Sequence, residues 1–212
     1  MIHAHLTAAP ERSRTLLTRA RILEAARQEL SRDPDSSLGD IAEAAGVVRR
    51  TLYGHFHGRA ALVEGLVEEA AWALRQALAA PRAPVADAVT ELARFVLAVW
   101  PVGDRYRILL RLAPQDLGAD RLAEVLAPAR DMTEAIISRG QRQGAVQTGV
   151  PPVVLARALE GYLLGLLDCV NSGLWSDDGT NTATAALTAM GVAGDSAAAC
   201  VHGLVRPSGD AA

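Results

Sequence analysis

Between residues 13 and 30, Leu16, Ile22, Leu23, Ala26 and Leu30 recur near helical spacing, while Arg14, Arg19, Arg21 and Arg27 take much of the remainder. An apolar stripe beside a basic face predicts an amphipathic helix packed on a core. Residues 1–12 read as a flexible arm. The run Arg32, Asp33, Pro34, Asp35, Ser36 marks a turn, because proline does not continue a helix. Ser37, with Asp40 three residues on, has the form of a capping box. The short helix it opens is stopped by Gly46. A third short helix is expected over 49–55 and a longer fourth over 59–78. Beyond them, Pro and Gly divide the pattern into helices over 85–99, 104–112, 119–126, 128–143, 152–174, 181–190 and 196–205. The fold class this implies is all-α. A three-helix head spans 13–58, a larger helical body spans 59–206, and a short tail follows at 207–212.

The stretch from Ser37 to Leu62 carries the most information. Two short helices joined by a tight turn must cross closely. Ala42 has the small side chain a crossing point needs, and Gly46 supplies a left-handed turn that most residues resist. Ile41, Ala45, Val47, Leu52 and Phe56 fall where the inner faces meet the first helix, so the pattern specifies a helix-turn-helix. The outer face of its second helix then holds Arg49, Arg50, Tyr53 and Gly54, with Thr51 and His55 at the flanks. Arginine grips guanine edges or phosphates in a major groove. Hydroxyls and imidazole N–H groups donate to phosphate oxygens. Gly54 either leaves a base unread or lets backbone approach the DNA closely. A solvated arginine face and a half-buried Tyr53 are the plainer readings of the same residues.

The segments IAEAAGV and RRTLYGHF, followed three residues later by an arginine that opens the fourth helix, resemble the tetracycline-repressor (TetR) family of regulators. The resemblance covers about 50 N-terminal residues. It implies phosphate contacts at Ser37, Thr51, Tyr53, His55 and Arg59, and base-reading positions at Val48, Arg49, Arg50 and Gly54. Arg59 takes the place of a lysine often found there, which keeps the charge and changes the contact geometry. The first turn lacks a common glycine. The family further implies a homodimer on a near-palindromic, inverted-repeat operator in double-stranded DNA, with a small-molecule effector in the body. The expected function is sequence-specific transcriptional regulation, as a repressor released by that effector. The alternative is a helical small-molecule binding protein with little DNA activity.

In the body, Phe95, Trp100, Tyr106, Leu109, Leu110, Tyr162 and Leu166 are candidates to line a pocket, though helix-spaced apolar residues are more often plain core. Arg107, Arg111, Asp168 and Asn171 lie near enough in sequence to orient a polar ligand group. Leu163, Leu167 and Val170, with Leu187 and Met190, fit either intrachain core or a subunit seam. The resemblance favours the seam, since the family pairs through its last long helices.

Composition changes the picture little. Half of the residues are hydrophobic, mainly Ala, Leu and Val, with only 4% aromatic, which favours packed helices and a hydrophobic or aromatic effector. Residues 1–59 carry nine Arg against seven acids (+2) and the remainder twelve against seventeen (−5), giving the overall −3 with no lysine. A mildly basic head on an acidic body suits a DNA reader. His55 and His57 are two apart, which points them to different helix faces, so no metal site is expected. No cofactor motif and no nucleophile–base set with supporting context occurs, so an enzyme is not expected. Cys169 and Cys200 read as free thiols. No apolar run reaches membrane-spanning length and no signal peptide is evident, so a cytoplasmic protein without membrane attachment is expected.

Overall fold

The computed structural model describes residues 8–81 and 87–205. Among these residues there are ten helices and no strand. The order is α1 (Ala8–Arg32), α2 (Leu38–Ala44), α3 (Arg49–His55), α4 (Arg59–Ala79) and α5 (Ala88–Tyr106), then α6 (Leu109–Asp116), α7 (Ala119–Arg142), α8 (Pro152–Asn171), α9 (Thr180–Ala189) and α10 (Gly194–Val205). No helix of the described residues is long and apolar enough to cross a membrane.

The first helix starts earlier than its apolar pattern suggests. α1 begins at Ala8, inside the stretch expected to be an arm, with Pro10 in its first turn. Amides in that turn have no intrahelical partner, so a proline there costs no hydrogen bond. The rest of the arm, residues 1–7, and the tail at 207–212 lie outside the described residues. Ile22, Leu23, Ala26 and Leu30 are fully buried as expected, whereas Leu16 is 67% exposed. Ser13 to Leu17 are all exposed.

In the body, proline proves a poor guide to helix ends. α5 runs through Pro101 to Tyr106, and α7 is continuous through Pro128, where two helices were expected. Each proline deletes one backbone bond of a long helix, a loss that flanking packing outweighs. The real break falls at Arg107 and Ile108. There the Arg107 guanidinium donates to the Asp104 carbonyl (2.8 Å), and the Asn171 side-chain amide donates to the Arg107 carbonyl (3.0 Å).

Two apolar clusters form the interior. One joins α1–α4 to α6, through residues such as Leu23, Leu52, Phe56 and Leu66 against Ile108, Leu109 and Leu112. The other joins α5, α7, α8, α9 and α10 around Leu92, Val96, Ile137, Leu159, Leu187 and Val201. The core of the head therefore does not stop at residue 58. It continues through the first half of α4 into α6.

Candidate DNA-binding surface and internal cavity

The helix-turn-helix is held by local chemistry. The Ser37 hydroxyl accepts the Asp40 amide (3.2 Å), and the Asp40 carboxylate accepts the Ser37 amide (2.9 Å) and hydroxyl (2.7 Å). These bonds from the Ser37 side chain and backbone hold the Asp40 carboxyl below its ordinary range, with the charge of nearby Arg49 adding to the effect. At the far end of α2, the Gly46 amide donates to the Glu43 carbonyl and the Val47 amide to the Ala42 carbonyl, both at 2.9 Å. Gly46 sits at φ 62°, the left-handed conformation this closing motif requires.

Across that turn, α3 buries Leu52, and Phe56 follows it into the same core. Its opposite face is bare. Val48 is 70% and Tyr53 50% exposed, so Tyr53 is not a core aromatic. Arg49, Arg50 and Gly54 are exposed, and Thr51 and His55 are half-buried at the flanks. Gly54 has open space where a side chain would stand. The Arg49 guanidinium lies over Gly39 of α2, so close that a methyl group there would meet it at 2.5 Å.

Two of the expected phosphate contacts are already engaged in the free chain. Ser37 is committed to its cap, as above. Arg59 is turned inward. Its Nε donates to both Asp116 carboxylate oxygens (3.1 and 3.3 Å) and its Nη2 to the Pro34 carbonyl (2.7 Å). The carboxylate at the end of α6 and the carbonyls of the α1–α2 turn compete successfully with solvent for this guanidinium. Arg59 thus ties the head to the body. Two more ion pairs cross the same joint, Arg105–Glu24 (2.9 Å) and Arg19–Glu68 (3.0 Å).

Between the two apolar clusters lies a cavity of about 130 Å³, walled by α4, α5, α6, α7 and α8. Of the expected pocket residues, Phe95, Trp100, Tyr106, Leu109 and Leu110 do line it. Tyr162 and Leu166 do not; Tyr162 is 39% exposed on the outer side of α8. Conversely, Leu163 and Leu167, weighed as seam residues, face the cavity. Leu187 and Met190 are buried in the chain's own core, at 0% and 3% exposure, and so have no surface to offer a second subunit. Val170 is half-buried.

Among the polar candidates, only Arg107 reaches the cavity wall. Asn171 is used in bracing the α5–α6 break, and Asp168 and Arg111 are exposed. The Trp100 indole N–H donates to the Asp177 carbonyl (3.0 Å), and its ring meets Trp175 edge-on, with centroids 5.9 Å apart. Burial pushes the Asp177 carboxyl up, but bonds from Thr182 and Asn181 outweigh it and hold the group below its ordinary range.

Three contributions to the site carry no sequence signal. Ala70 and Leu74 bring α4 to the wall, and Val125, Leu126 and Ala129 bring α7. The Arg130–Glu160 ion pair also stands in the wall, its Nε–Oε2 distance 2.9 Å. These two residues are 30 positions apart on different helices, so no local spacing announces them.

Residues 22–66 match the profile of the bacterial regulatory proteins described as the tetR family. The chain is 31% identical over 160 residues to the HTH-type transcriptional regulator TtgR of Pseudomonas putida, covering 71% of this chain and 70% of that one. Its fold is similar to that of the fatty acid degradation regulator FadR from Bacillus halodurans, with TM-score 0.66, 17% identity, and 81% and 94% of the two chains covered. It is also similar to NalD, the secondary repressor of the MexAB-OprM multidrug efflux pump in Pseudomonas aeruginosa, with TM-score 0.58, 23% identity, and 84% and 95% covered.

Proposed function

This chain belongs to the tetR family of bacterial regulatory proteins, and from that premise we propose that it is a homodimeric repressor released from an inverted-repeat operator by a small molecule. The observation that carries the proposal is the bare outer face of α3, where Arg49, Arg50 and Tyr53 stand exposed while Leu52 locks the helix to its core. In a twofold dimer, two such helices enter successive major grooves roughly 34–36 Å apart. Arg49 and Arg50 read base edges. Thr51, Tyr53 and His55 fix the register on phosphates.

A seam is available on the outer side of α8. Val154, Ala158, Gly161, Tyr162 and Gly165 are all exposed and recur at helical spacing along one stripe. This stripe is proposed in place of the expected seam of Leu163, Leu167, Val170, Leu187 and Met190.

Effector control rests on where the cavity lies. It sits between the cluster that includes the head and the cluster of the body, and α4 and α6 belong to its wall. At about 130 Å³ it holds little more than one aromatic ring. A larger molecule must push these helices apart and so change how the heads are set. Because the linkage is reciprocal, operator DNA weakens the effector by the same factor.

Selection of bound sequences from a random DNA pool, at two salt concentrations, tests the proposal. An enriched inverted repeat, with affinity falling steeply as salt rises, is the expected result. Retention without enrichment removes sequence reading. No retention at either salt leaves a helical small-molecule binding protein instead.

A further inference from the structure

Three charged side chains, Arg107, Arg130 and Glu160, stand in a cavity wall that is otherwise almost wholly apolar. The Arg130 guanidinium meets the Glu160 carboxylate with two bonds, Nε to Oε2 (2.9 Å) and Nη2 to Oε1 (3.0 Å). Their side chains are only 12% and 19% exposed. Two other polar side chains of the wall, Thr133 and Arg107, also have partners within the chain. The Thr133 hydroxyl donates to the Ala129 carbonyl (2.8 Å), and Arg107 bonds the Asp104 carbonyl and carboxylate (2.8 and 3.0 Å). Arg157 approaches Glu160 from one turn away, at 3.7 Å.

The charges in the wall are already paired, so a guest ion finds no uncompensated counter-charge there. An anionic ligand takes over the Arg130 charge in full only by displacing Glu160, and a cationic one takes over the Glu160 charge only by displacing Arg130. Either leaves a charge stranded in a poorly solvated wall, which is far costlier than leaving the pair intact. An uncharged group meets no such obstacle. The paired carboxylate keeps lone pairs that accept one hydroxyl, and the apolar wall takes the rest of the molecule.

We infer that the cavity selects uncharged ligands, apolar or aromatic molecules with one hydrogen-bonding group, and that the Arg130–Glu160 pair is the selecting element. This rests on the reading of the cavity as a ligand site. The selectivity is set by rejection of ions, while the paired carboxylate offers a neutral guest one hydrogen-bond acceptor.

Three probes with one ring and one two-carbon arm test it: 2-phenylethanol, phenylacetate and 2-phenylethylammonium. Binding to the full chain is measured by calorimetry, with thermal unfolding as a second readout. On the native protein the alcohol is expected to bind at least about ten-fold more tightly than either ion. In Glu160→Gln the unpaired Arg130 is expected to invert the order, with phenylacetate overtaking the alcohol. A merely structural role for the pair would weaken all three probes alike without changing their order, and that result overturns the inference. An ion that equals or beats the alcohol on the native protein also overturns it, while leaving the cavity a ligand site. If no probe binds the native chain, the cavity reading itself falls and takes the inference with it. The native comparison decides the matter even if the variant does not fold.

Discussion

Filling the cavity should make the protein more stable and deaf to its ligand at once. Ala156 is 1% exposed on α8 and lines the cavity, so Ala156→Leu sends three added carbons into the empty space. At about 0.8 kcal/mol per buried carbon, their removal from water contributes about 2.4 kcal/mol. The void sets a similar ceiling, since 130 Å³ at about 24 cal/mol per Å³ is worth about 3 kcal/mol. Imperfect fit subtracts about 1 kcal/mol, as inserted groups push neighbours off their preferred rotamers. The net gain of about 1–2 kcal/mol should raise Tm by about 2–8 °C for a chain of this size. Scanning unfolding of the full chain measures the gain, and calorimetry with 2-phenylethanol measures the loss of binding. A lower Tm would mean that the space is not open to a side chain. A higher Tm with 2-phenylethanol binding intact would move the ligand site elsewhere.

Other perturbations probe the head and the caps. Arg50→Ala should weaken operator binding by about 1–3 kcal/mol and relax preference at one base, whereas Thr51→Ala should weaken all sequences alike; parallel binding titrations on an operator and a scrambled duplex separate the two. Gly46→Ala, forced to φ 62°, should cost about 1–2 kcal/mol of stability, read by chemical denaturation, and no change would mean the turn adjusts freely. The lowered Asp177 carboxyl contributes stability that is present above the ordinary carboxylate range, near pH 4, and lost as pH falls through its folded value. Asp177→Asn should therefore flatten the decline in Tm between about pH 5 and pH 2, and identical slopes would refute that assignment.

The head was legible because its constraints are local. A serine and an aspartate three apart, a glycine where the chain must turn left-handed, and apolar residues at fixed offsets define two short helices almost to the residue. The body was less so, because long-range packing decides its helix ends. Pro101 and Pro128 read as breaks, yet both sit inside continuous helices. The break at Arg107 is braced by a hydrogen bond from Asn171, 64 positions away. The site shows the same division. Arg49, Arg50 and Tyr53 announce themselves by their place on α3. The inward turn of Arg59 is set by Asp116, 57 positions on. Leu163 and Leu187 are both leucines within helices. One faces the cavity and the other the core, a difference that only the assembled bundle decides.

The core shared between the head and α6 has a consequence for transplanting specificity. Regulators of this shape invite chimeras in which one protein's head is grafted onto another's body. A graft cut at residue 58 would sever Phe56 and Leu52 from Leu62 and Leu66, and would replace the Ile108, Leu109 and Leu112 surface that closes the same core. It would also separate Arg59 from the Pro34 carbonyl it holds. The transferable unit is discontinuous: α1 to the middle of α4 together with α6, two pieces of chain separated by the whole of α5. A hybrid that moves both should keep its operator preference. One that moves the first alone should fail at the joint, however well its recognition helix is preserved.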